Sequence, residues 1–125
     1  MFKKLLILGI LVTSLFGGVR ELDDENFDKA TRRGLVVVEF WASWNEANKV
    51  TVLDDWDNFD AKVYRVNIDL YPKIQTDNEV VILPTIIFYD DGKEVKRLQG
   101  DMSFSLEITT KQLDKVIDEI LMSKF

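Results

Sequence analysis

The chain has 125 residues with neither cysteine nor histidine. That removes the thiolate and the imidazole, the commonest side-chain nucleophile of redox chemistry and the commonest general base and metal ligand. The polar chemistry left belongs to carboxylates, hydroxyls and amides. Two amides stand out by position, Asn45 and Asn48, where the apolar run Leu35-Val36-Val37-Val38-Glu39-Phe40-Trp41-Ala42 gives way to a helix-like segment. An amide is neither a nucleophile nor an electron carrier. Asn45 is expected instead to cap the helix, accepting a hydrogen bond from one of the unpaired backbone N–H groups of the first turn. Glu39 is the one charge inside the apolar run, and its carboxylate has to find a lysine or solvent at the sheet edge, or a purpose in the interior. Asp54, Asp55, Asp57 and Asp60 bring calcium to mind, but there is no glycine at a sharp turn and no closing glutamate at loop spacing. They read as a solvated acidic face, and no metal is expected. No serine has an identifiable base partner, there is no phosphate loop, and no cofactor is implied.

The elements that position these residues follow from pattern. Residues 1–18 begin Met1-Phe2-Lys3-Lys4, continue through an apolar block from Leu5 to Val12 and end in small residues at Gly17-Gly18. This is the layout of a secretory signal, too short for a comfortable membrane span. Export to the periplasm or the exterior is expected, with an uncleaved membrane anchor or an N-terminal core helix as alternatives. Residues 19–125 suffice for one domain with one core. Only Lys3 and Lys4 are charged in the leader, so removing it takes the formal net charge from −6 two units lower, to −8. That balance argues against nucleic acid or an anionic membrane surface as partner. An exported domain is free to use disulfides, so zero cysteine leaves the fold to its core.

Val19 to Leu22 reads as a short strand, and Asp23 to Ala30 opens a helix with acids in its first turn and Phe27 and Ala30 facing inward. The Thr31-Arg32-Arg33-Gly34 turn leads to the buried strand. A helix is expected from Asn45 onward, with Ala47, Val50, Leu53 and Trp56 as its apolar stripe. Lys62 to Asp69 reads as a strand parallel to the central one through a right-handed crossover, and a helix follows from Leu70 through Pro72 to about Asn78. Ile86 to Tyr89 and Glu94 to Gln99 form a hairpin around Asp90-Asp91-Gly92-Lys93. In the stretch 101–108, Met102, Phe104, Leu106 and Ile108 alternate with polar residues. This predicts an added strand or flap over the core, or an exposed apolar edge for a partner or for self-association through residues 102–108. Thr109 and Gln112 have the spacing of a capping box for a last helix whose apolar face is Leu113, Val116, Ile117, Ile120 and Leu121.

Two stretches resemble the thioredoxin superfamily. Phe40-Trp41-Ala42 followed by Trp44-Asn45-Glu46-Ala47-Asn48-Lys49 matches the strand and the Trp-Cys-x-x-Cys-Lys helix start, with both cysteines replaced by asparagine. Leu83-Pro84-Thr85 matches the apolar residue, cis-proline and threonine that lead into the family's hairpin. The resemblance implies an α/β, thioredoxin-like fold: a central mixed β-sheet flanked by helices, with an added segment before the C-terminal helix and a shortened second helix that lacks the family's proline. It also implies that Glu39 stands where the family keeps a buried acid serving the second cysteine, a role left vacant here. In the family the backbone flanking the cis-proline pairs with an extended substrate peptide. Trp41, Trp44, Leu83, Pro84 and Thr85 are therefore the expected peptide-binding residues, and an extended peptide or unfolded protein the expected partner. The function implied is a redox-inactive, non-catalytic peptide- or protein-binding module, chaperone-like or adaptor. The alternative is a thioredoxin-type disulfide oxidoreductase whose two active-site cysteines have been replaced at positions 45 and 48.

Overall fold

The computed structural model describes residues 19–125, and the expected signal or anchor at 1–18 lies outside the described residues. Five strands form one sheet: β1 (Arg20–Leu22), β2 (Leu35–Trp41), β3 (Ala61–Asn67), β4 (Thr85–Asp90) and β5 (Lys93–Gln99). Their spatial order is β1-β3-β2-β4-β5. β1 and β2 each run parallel to β3, whereas β4 is antiparallel to both β2 and β5. β2, in the middle, is buried over its whole length apart from Trp41. It carries apolar residues on both faces because helices cover both.

Alternation along the strands sorts the core into two layers. Val36, Val38, Phe40, Val66 and Ile87 face α1 (Phe27–Thr31) and α3 (Pro72–Asp77), which contribute Phe27 and Ile74. Leu35, Val37, Ile86 and Phe88 face α2 (Val52–Asp55) and α4 (Thr110–Met122), which contribute Leu53, Leu113 and Ile117. The α4 helix starts on the expected capping box: Thr109 Oγ1 accepts from the Gln112 N–H at 3.1 Å, and the Gln112 side chain accepts from the Thr109 N–H at 2.8 Å. The β4–β5 turn places Asp91 at φ 51° and Gly92 at φ 85°, the double positive φ that suits a two-residue hairpin turn.

The chain departs from the sequence reading in two places. No continuous helix runs from Asn45 to Trp56. A 3-10 segment spans Ser43–Asn48, Lys49 is extended, and α2 is a single turn. The β-branched run Val50-Thr51-Val52 is a poor helix former. In addition, the Val50 N–H is bonded to Glu39, and its carbonyl is shared between Arg65 and the Leu53 N–H at 3.2 Å, a tight turn rather than an α-helical ladder. Val50, Leu53 and Trp56 are still buried as the stripe predicts, but Ala47 is exposed.

The second departure is the stretch 101–108, which is no strand. Asp101 closes a turn on itself, its carbonyl accepting from the Phe104 N–H at 3.0 Å and its carboxylate from the Ser103 N–H at 2.9 Å. Phe104 sits at φ 59°. The alternation is thereby split: Leu106 and Ile108 pack on the second core layer, while Met102 and Phe104 stay exposed.

Candidate functional site

The register of the sheet decides which residues meet. Phe40 pairs with Thr85, so the chain leaving β2 through Ala42 to Asn48 and the chain entering β4 through Leu83 and Pro84 lie at the same end of the sheet. The Leu83–Pro84 peptide is cis, and the Pro84 carbonyl accepts from the Gly100 N–H at 2.8 Å. Thr85 is fully buried and its hydroxyl donates to the Ile82 carbonyl. Among the described residues, the Leu83 N–H and C=O take part in no backbone hydrogen bond, while the Leu83 side chain is buried. Gly100 is required by close approach rather than by bending. A Cβ there would lie 2.8 Å from the Ser105 carbonyl oxygen and 2.9 Å from that of Leu83. The turn at 101–105 therefore passes alongside the unpaired edge of Leu83 like a strap.

That strap is fastened by Asn45. Its Nδ2 donates to the Phe104 carbonyl at 3.0 Å and its Oδ1 accepts from Asn48 Nδ2 at 2.8 Å. Because a carbonyl can only accept, the orientation of the Asn45 amide is fixed by this network. The Asn45 side chain is thus not the expected helix cap. The 3-10 segment is preceded by Ala42, with no side-chain cap, and Asn45 itself sits at φ −119°, ψ 23°, a kink inside the segment. Where the superfamily signature has two cysteines, this chain has a hydrogen-bonded amide pair.

The two tryptophans part company. Trp44 is 62% exposed and meets the Phe104 ring edge-on, centroids 5.3 Å apart. Trp41 has other partners. Its indole N–H donates to Glu21 of β1 at 3.0 Å, on the side of β2 away from β4, and Lys49 Nζ lies 4.3 Å from its ring centroid. The apolar surroundings of Leu83 come instead from residues the pattern did not single out for this role: Val81 and Ile82, 83% and 36% exposed, and Phe104 of the strap. Their signal was an apolar run, Val80 to Leu83, longer than the neighbouring strand needs.

Glu39 reaches neither lysine nor solvent. It is fully buried and accepts from Arg65 Nε and from the Val50 N–H, each at 2.8 Å. Arg65, also buried, donates further to Asp54 Oδ1 at 2.7 Å and to the Val50 carbonyl at 2.8 Å. The pairing follows from register, Glu39 lying opposite Arg65 in the parallel β2–β3 ladder. Burial pushes the Glu39 carboxyl up, and the hydrogen bonds from Arg65 and Val50 only partly offset this. For Asp54, burial also pushes upward, but the hydrogen bond and charge of Arg65 prevail and hold it below the usual aspartate range. Asp54 is thus tied to a guanidinium rather than to an open acidic face. Among the described residues, no three His, Cys, Asp or Glu side chains converge as a metal site requires.

The fold and this pair of converging segments define a thioredoxin-like domain without thiols. A family model described as Thioredoxin matches residues 18–115. The thioredoxin of Chlamydia pneumoniae is 33% identical over 101 residues, covering 74% of this chain and 97% of that one. The thioredoxin of Chlamydia caviae is 35% identical over 86 residues, covering 66% and 84%. Among solved structures, the Malassezia sympodialis thioredoxin superposes with a TM-score of 0.64 at 20% identity, covering 82% of this chain and 90% of that one. The chain belongs to the thioredoxin family.

Two outcomes test the site. Arg65→Leu leaves Glu39 buried without its partner and should cost about 3–5 kcal/mol at neutral pH. A carboxyl raised above the ordinary 4.5 favours the fold below that value and loses this contribution as pH rises through its folded value. Losing Arg65 raises Glu39 further, and Asp54 forfeits stability it holds only above its ordinary 3.8. The penalty should therefore shrink in acid; urea midpoints giving the same loss at about pH 4 and about pH 7.5 would contradict the network. Asn45→Asp keeps the bond to Asn48 but turns an acceptor on the Phe104 carbonyl. It should cost about 1–3 kcal/mol and change Trp44 fluorescence as the strap loosens. A variant with wild-type emission and stability would show that the strap is held by other contacts.

Proposed function

We propose that this domain is a non-catalytic peptide- or protein-binding module that takes up an extended segment at Leu83. The observation that supports this most directly is the unpaired Leu83 N–H and C=O next to the exposed apolar residues Ile82, Phe104 and Trp44. A partner adding as a strand satisfies both backbone groups, and its apolar side chains cover a patch of the kind that marks interaction surfaces. With no cysteine in the chain, dithiol–disulfide exchange has no reacting group. The strap regulates access, because the turn carrying Phe104 runs beside the Leu83 carbonyl. The arrangement of residues 1–18 supports export of the domain to the periplasm or the exterior. The exposed Met102 and Phe104 also make a second copy of the chain a competing occupant.

The test is titration of the full chain with an unfolded, cysteine-free polypeptide, followed by Trp44 fluorescence. Trp41 and Trp56 are both engaged through their indole N–H groups and give a steadier background. A saturable change is expected, weakened by about 1–2 kcal/mol in Ile82→Lys. A flat titration, or one that Ile82→Lys leaves untouched, rules out this surface.

A second reading, a thioredoxin-type oxidoreductase with its cysteines replaced, is favoured by one observation: the side chains of Asn45 and Asn48 are already in contact at 2.8 Å. On this reading the double variant Asn45→Cys with Asn48→Cys reduces a protein disulfide, and Glu39→Gln changes the pH dependence of that activity. A folded double variant that turns over no disulfide would eliminate it.

A further inference from the structure

At the opposite end of the sheet, positive charge is concentrated in a protein whose net charge is negative. Arg20, Lys29, Arg32, Arg33 and Lys62 line a cavity of about 550 Å³, within the range of about 300–1,000 Å³ typical of small-molecule sites. No aspartate or glutamate lines it. The topology explains the space. Alternation puts Arg20 and Leu22 of β1 on the same face as Lys62 and Tyr64 of β3, paired in register Arg20 with Tyr64. The five-residue helix α1 is too short to cover the strand starts, and Arg32 and Arg33 follow directly on its last residue, Thr31. Leu22, Ala30 and Tyr64 make an apolar floor beneath a cationic rim.

The use of arginine across the chain is selective. There are five arginines. Arg65 is paired with Glu39 and Asp54, and Arg97 with Glu94. The remaining three all line this cavity. Among the described residues, none of the cavity's five cations lies within 4.0 Å of a carboxylate, although carboxylates outnumber cations in the chain, 22 to 16. Cations held together without counter-charges repel one another, and a ligand that supplies the missing charge relieves that repulsion. Guanidinium forks match phosphate oxygens two at a time, and five positive charges exceed what one carboxylate needs.

We propose that this cavity binds a phosphate ester, the phosphate held by Arg20, Arg32 and Arg33 and the organic group resting on Leu22, Ala30 and Tyr64. The site is independent of the Leu83 surface and lies at the other end of β2.

Phenyl phosphate is the probe, titrated into the full chain at constant ionic strength and followed by amide NMR. Saturable shifts are expected at Arg20, Ala30 and Tyr64, with the Trp44 signals unmoved. Arg20→Gln combined with Arg33→Gln, both at exposed positions, should weaken binding about tenfold or more. Vesicles of phosphatidylglycerol separate the two sources of the phosphate. Competition with phenyl phosphate assigns it to a lipid headgroup, and absence of competition to a soluble ester; either result keeps the site. Shifts reproduced by potassium chloride alone, benzoate binding as tightly as phenyl phosphate, or an unchanged affinity in the folded double variant would overturn the proposal.

Discussion

One guanidinium holds together the part of this fold that has least regular structure. Arg65 leaves β3 and reaches Glu39 on β2, Asp54 on α2 and the carbonyl of Val50, while Glu39 returns a bond to the Val50 N–H. The segment 43–55 has a short 3-10 stretch and a single α-turn in place of a long helix, so some of its backbone groups, those of Val50 among them, bond outside it. The ion pair supplies the partners. It fixes Val50 against the sheet, brings Leu53 and Trp56 over the second core layer, and sets where Ser43–Asn48 emerges. Two charges buried this deeply are expensive to desolvate, and the arrangement is tolerated because the polar atoms of both find partners; among the described residues no buried side-chain polar atom is left without one.

What stands at the end of β2 is a pair of amides, Asn45 buried and Asn48 exposed, where a thiol pair would carry electrons. Asn45 links Asn48 to the carbonyl of Phe104, so the position has exchanged reactivity for attachment of the 101–105 strap. The consequence reaches Leu83, whose backbone edge lies beside Ser105 and Gly100. The proposed binding there and the position of the strap are a single problem, because the same few ångströms hold Gly100, Ser105 and the Leu83 carbonyl.

Charge is not spread evenly over the domain. The mean composition is acidic, yet the starts of β1 and β3 and the end of α1 gather five cations around one opening. A net charge describes solubility and long-range attraction; it does not report the field inside a particular cavity, where the nearest groups dominate. The expectation that acidic balance disfavours anionic partners concerns the surface as a whole and says nothing of this opening.

Much of the fold was legible in the residues because it rests on local pattern. The apolar run of β2, the hairpin around Asp91-Gly92, the capping box at Thr109 and the Val50-Leu53-Trp56 stripe are each written within a window of a few residues, where side-chain period and turn chemistry act. The family followed from Phe40-Trp41-Ala42 with Trp44 and from Leu83-Pro84-Thr85, and the absence of thiol chemistry from a simple count. Most of the misread features depended on residues far apart in the chain. Glu39 meets Arg65 through strand register 26 positions away, and Asn45 meets Phe104 across 59. Trp41 turns to Glu21, and the period-two stretch after Gly100 is broken by its own Asp101 turn and by the space beside Leu83. Sequence determined which segments bury and which groups can react. Tertiary structure alone decided the partner of each buried polar group, because a hydrogen bond is satisfied by whatever donor or acceptor the fold brings within about 3 Å, however distant it is along the chain.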